Sequence, residues 1–122
     1  MKPEIRFHIR DSEQRTPLWI GPGKVALLEA IGETGSITSS AKKLGMSYRR
    51  AWLLIEETNS CLVRPAVTTA TGGQHGGGTT LTPVGAELVR RYRALERRTA
   101  VAVNRDLKTL LRAIPGRPAK AQ

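Results

Sequence analysis

One cysteine, Cys61, stands in the 122-residue sequence. An intramolecular disulfide is therefore excluded, and the chain suits a reducing, cytoplasmic setting. No apolar run is long enough to cross a bilayer, so no membrane partner is expected. Met1-Lys-Pro-Glu leads straight into an alternating segment, so no signal peptide is expected either. Acids are scarce, with ten Asp and Glu against twenty Lys and Arg. They form no pair beside a glycine-bounded cleft, and His8 and His75 have no Cys or Asp neighbours at metal spacing. Cys61 has no accompanying histidine motif and reads as a small buried hydrophobe. These shortages point away from an enzyme and from a metal site, and no cofactor is expected.

What the chain has in excess is positive charge. Its formal charge is +10, which favours a phosphate-bearing partner. Residues 83–122 carry ten Lys and Arg against Glu87, Glu96 and Asp106. Basicity alone also suits ribosomal or membrane-surface proteins, so the pattern of residues has to decide. The length allows one domain and an extension.

That pattern centres on residues 36–59. Ile37, Ala41 and Leu44 share one helical face, with Ser36 placed to cap the helix and Gly45 to end it. After a Gly-Met-Ser corner, Ser47 caps a second helix whose inner face is Ala51, Leu54, Ile55 and Thr58. Two helices on so short a turn predict a helix-turn-helix, with a recognition helix over 47–59 that enters the major groove of double-stranded DNA. A plain helical hairpin within a core is the rival on these residues alone.

Before this pair, residues 4–10 alternate and predict a half-buried strand, with Leu18-Trp-Ile20 returning as a second. His8 falls on the polar side, and Trp19 reads as a core or hairpin-packing residue. Val25, Leu27, Leu28 and Ile31 predict a compact helix from Lys24 to Gly32. After the pair, β-branched residues at 67–71 and 79–82 flank Gly72-Gly-Gln-His-Gly-Gly-Gly78 and predict a hairpin, or wing, over 67–82. The glycine run is no P-loop, because Thr79 stands where the lysine is required.

Thr82-Pro83 opens the last element as cap and first helical residue. Leu88, Tyr92, Leu95, Thr99, Val103, Leu107, Leu110 and Ile114 then recur every three or four residues. A helix over 83–114 would be about 45 Å long, more than so small a core can cover. Its distal half therefore calls for a homodimer through Leu95, Val103, Leu107, Leu110 and Ile114. A break near Asn104 is the alternative. Residues 115–122 read as a disordered tail. The expected fold is mainly α with a small β component: residues 1–82 a winged helix-turn-helix, residues 83–114 a dimerisation helix.

The run Ser36-Ile, Ala41-Lys42 and Gly45-Met-Ser-Tyr-Arg-Arg-Ala-Trp52, followed by Ala70-Thr-Gly-Gly-Gln-His-Gly-Gly-Gly78 and Leu81-Thr to Gly85, resembles the N-terminal DNA-binding domain of the ModE molybdate-responsive transcriptional regulators. The likeness covers residues 3–112, with a wider one to LysR-type regulators. It implies a transcriptional regulator that binds an inverted-repeat operator as a homodimer. In that family tandem oxyanion-binding domains sense molybdate. This sequence stops at Gln122, so a molybdate pocket is not expected within it.

Stepping about 100° per residue from the inner face turns Arg49, Leu53 and Glu56 outward, with Arg50 to one side. Arg49 and Arg50 are the candidates for base edges, and Leu53 is a DNA-binding candidate on the same outward face. Ser47 and the first-turn N–H groups suit a phosphate, as do Thr38, Ser39 and Lys42. Tyr48 stands open between packing and a phosphate hydrogen bond, and Trp52 reads as a boundary core residue. On the wing, Thr71, Gly73, Gln74 and His75 are candidates for backbone or minor-groove contact. Arg90, Arg91, Arg93, Arg97 and Arg98 read mainly as a solvated helix face. A sequence-independent basic protein that binds DNA or RNA is the alternative function.

Overall fold

The computed structural model describes residues 2–13, 15, 17–70 and 78–116. Its elements run β1 (Ile9–Asp11), β2 (Leu18–Ile20), α1 (Pro22–Thr34), α2 (Ile37–Leu44), α3 (Tyr48–Ser60), β3 (Val67–Thr69), β4 (Thr79–Leu81) and α4 (Pro83–Ala113). The fold is mainly α with two small antiparallel hairpins, a winged helix-turn-helix extended by one long helix.

Most of the first alternating segment does not form a strand. Only Ile9–Asp11 joins the ladder, in the register Ile9 to Ile20 and Asp11 to Leu18. Phe7 is engaged elsewhere: its ring stacks on Tyr92 with centroids 5.2 Å apart, and its carbonyl accepts the Tyr92 hydroxyl at 2.8 Å. The partner strand is three residues long, so the rest of the alternation finds no ladder. Trp19 packs within the hairpin, its ring stacked on His8.

Helix α1 is longer at both ends than the apolar stripe predicts. Gly21 is extended and Pro22 takes the first turn, whose N–H positions need no partner. The helix runs through Gly32 to Thr34, and the Gly35 N–H closes it on the Ile31 carbonyl at 2.8 Å. Gly32 thus lies inside the helix, facing the Leu81 side chain.

One core gathers Leu27, Leu28 and Ile31 from α1, Ile37 and Ala41 from α2, Ala51, Leu54 and Ile55 from α3, and Ala66 with Val67. A smaller cluster of Ile20, Val25 and Tyr92 joins the first hairpin to α4. Helix α4 is unbroken past Asn104, and its first turns, with Leu88, Val89 and Tyr92, pack on the body. Thr82 caps it by accepting the Gly85 N–H at 3.1 Å. Ile114 has left the helix in an extended conformation, and residues 117–122 of the expected tail lie outside the described residues.

Candidate nucleic-acid interface

The corner between α2 and α3 is built from backbone preferences. Gly45 sits at φ 68°, a left-handed conformation that costs an L side chain roughly 1 kcal/mol or more. That turn lets the Met46 N–H reach the Ala41 carbonyl at 3.0 Å. Ser47 then accepts the Arg50 N–H on its hydroxyl at 3.1 Å and starts α3. The N–H groups of Tyr48 and Arg49 remain outside the helical ladder, at the positive end of the helix dipole.

Helix α3 buries Ala51, Leu54, Ile55 and Thr58, the face its periodicity predicts. The opposite side exposes Tyr48, Arg49, Arg50, Trp52, Leu53 and Glu56. Among the described residues neither Arg49 nor Arg50 has a carboxylate partner. Glu57 pairs with Lys24, Glu33 with Lys43, and Glu29 and Glu96 with Arg93. Those pairings raise the Arg93 pKa above its usual range, the Glu29 hydrogen bond being the main cause. On α4, Arg90 and Arg91 clamp Glu87 and lower its pKa to about 2.

Helix α2 begins at Ser36, whose hydroxyl accepts the Ser39 N–H at 3.0 Å. Thr38, Ser39 and Lys42 are exposed beside the start of α3. Lys43 is the weaker cation for an outside partner, being tied to Glu33.

The wing base is held against this surface at two points. The Thr79 N–H donates to the Gly35 carbonyl at 3.1 Å, beside the cap of α2. At the end of α3, the Asn59 amide accepts the Ala66 N–H at 2.8 Å and donates to the Val67 carbonyl at 3.0 Å. The ladder is shorter than the β-branched runs: β3 ends at Thr69, and Thr82 leaves β4 to cap α4. Between wing base and helices lies a cavity of about 370 Å³ lined by Ile37, Thr38, Tyr48, Trp52, Ala70 and Thr79, among others.

Two residues depart from expectation. Trp52 is 41% exposed and lines this cavity rather than the core. Its place one turn after Tyr48, off the inner face, was the signal for that. Cys61 is half-buried rather than buried, its thiol within reach of two carbonyl acceptors, Pro17 at 3.1 Å and Glu57 at 3.2 Å. Asn59 and Lys24, which position α3, carry no motif of their own. Thr71, Gly73, Gln74 and His75 lie outside the described residues.

Along α4, Leu95, Leu110 and Ile114 are exposed while Val103 and Leu107 are half-buried. The apolar stripe thus continues along α4 past a cavity that Pro3, Ile5 and Arg6 line together with Ala100, Asn104 and Leu107. Among the described residues no helix is long and apolar enough to cross a membrane.

No family model matches the chain. It is similar to the molybdenum-pterin-binding protein MopB of Rhodobacter capsulatus, 43% identical over 97 residues that cover 80% of this chain and 36% of that protein. It is 42% identical over 90 residues to the molybdenum transport protein ModE of Herbaspirillum seropedicae, covering 74% of this chain and 33% of that one. Against the DNA-binding transcriptional dual regulator ModE of Escherichia coli K12 the identity is 41% over 92 residues, 75% of this chain and 34% of that protein. The chain spans about a third of the length of the curated relatives it matches. None of these three names is that of an enzyme.

Proposed function

We propose, on the premise that this chain is a homologue of the ModE-type regulators over most of its length, that it is a DNA-binding transcriptional regulator. The observation that carries this is the pair Arg49 and Arg50, exposed at the start of α3 without a carboxylate partner among the described residues. A helix presented this way enters the major groove N-terminus first. Arginine there binds guanine through two hydrogen bonds, worth roughly 1–3 kcal/mol of discrimination. Ser47, Tyr48, Thr38, Ser39 and Lys42 hold the flanking phosphates, which set register without reading sequence.

Residues 1–82 form the DNA-binding unit in this reading, and residues 83–114 the dimerisation helix. A second copy covers Leu95, Val103, Leu107, Leu110 and Ile114, because a stripe of this kind in water gains by burial, about 25 cal/mol per Å². Two recognition helices then stand about 34 Å apart or a multiple of that, and the operator is an inverted repeat. Such a protein works in the cytoplasm on chromosomal DNA.

Selection of bound fragments from random duplex DNA tests the proposal. An inverted repeat with a fixed half-site spacing is the expected product; binding without sequence preference would contradict it. Repeating the selection with molybdate tests whether that anion acts on this chain directly.

A further inference from the structure

The DNA-facing side of α3 is not purely polar. Leu53 is 44% exposed there, one helical turn beyond Arg49. It contributes nothing to the core, which α3 fills from its other side with Ala51, Leu54 and Ile55. Nor can a leucine serve a phosphate or a hydrogen-bonding base edge. Its neighbours point to a polyanionic partner rather than an apolar one: Arg49 and Arg50 precede it, with no carboxylate partner among the described residues. Glu56 follows, exposed, on the same outward line.

The floor of the major groove offers one apolar group, the C5-methyl of thymine. Four residues of helix advance about 6 Å, and base pairs stack about 3.4 Å apart. We infer that Leu53 is a specificity-determining residue that packs on a thymine methyl one or two base steps from the base met by Arg49. The inference rests on the regulator reading above and adds a chemical identity to one position of the half-site.

Replacing thymine by uracil removes that methyl and nothing else, so the test is chemical. In the selected duplex, each thymine in turn is changed to uracil and binding is titrated for the wild-type protein and for Leu53→Ala. At one position per half-site the wild type is expected to lose about three- to fivefold in affinity, the worth of one buried methyl. Leu53→Ala is expected to bind the thymine duplex more weakly and to lose nothing further on uracil. Unchanged affinity at every uracil position would overturn the inference, as would a Leu53→Ala protein that still distinguishes the two bases. Those results would leave the regulator reading standing. Failure of the wild type to select any sequence would instead sink the regulator reading, and this inference with it.

Discussion

Lys24 on α1 reaches Glu57 on α3 at 3.3 Å, the lysine side chain 5% exposed and the glutamate 57%. The same ammonium donates to the Trp19 carbonyl at 2.9 Å and lies 4.5 Å from the centre of the Trp19 ring. One buried cation thus joins β2, α1 and the recognition helix.

Removing it by Lys24→Ala strands the Trp19 carbonyl and opens space around the lysine stem. The expected cost is about 2 kcal/mol. Glu57→Gln is expected to cost under about 1 kcal/mol, because that partner is solvated. Urea unfolding of the two variants checks the ranking, and equal losses would mean that the ion pair, rather than the buried lysine, is what matters.

Gly85 and Gly23 make a contrasting pair. A Cβ on Gly85 would overlap the Ala66 carbonyl oxygen, whereas a Cβ on Gly23 meets nothing within 4 Å. Gly85→Ala is expected to push α4 off the wing base and to destabilise the fold by about 1–3 kcal/mol. Gly23→Ala, near the start of α1, should be neutral or stabilising by up to about 1 kcal/mol. Thermal unfolding separates the two directly.

Glu87 carries a pH dependence. Hydrogen bonds from Arg90 and then Arg91 lower its pKa from an ordinary 4.5 to about 2. A carboxylate with a lowered folded-state pKa stabilises the fold above its ordinary pKa, and that contribution is lost as pH falls towards the lowered one. Between pH 4.5 and 2 the wild type should therefore lose stability more steeply than Glu87→Gln. Parallel pH profiles for the two proteins in that window would refute this. High salt should shrink the difference, since the cluster is exposed.

The helical part of the fold was the most legible in the residues. The caps at Ser36, Ser47 and Thr82, the Gly45 turn and the inner face of α3 all follow from local chemistry, and all appear. The unbroken α4 follows from its repeating stripe. What escaped depended on long-range partners. Period-two alternation over 4–10 implied a full strand, but Tyr92, 85 positions along, holds the Phe7 carbonyl out of the ladder. The role of Lys24 could not be read either, since Glu57 and Trp19 come beside it only in the fold. Trp52 read as a boundary core residue, yet its angular position sets it between the recognition helix and the wing base. Exposure of Arg49 and Arg50 was legible; their lack of acidic partners was not, since that depends on which carboxylates the fold brings within reach.

The central claim is that the arginines opening α3 read duplex bases. Gel-shift titrations of wild type and Arg49→Ala, on the selected operator and on random duplex of equal length at one salt concentration, test it most directly. Loss of one guanine contact should weaken operator binding about 5- to 150-fold for each half-site, with little change on random DNA. An equal loss on both DNAs would assign Arg49 to phosphate and contradict the claim.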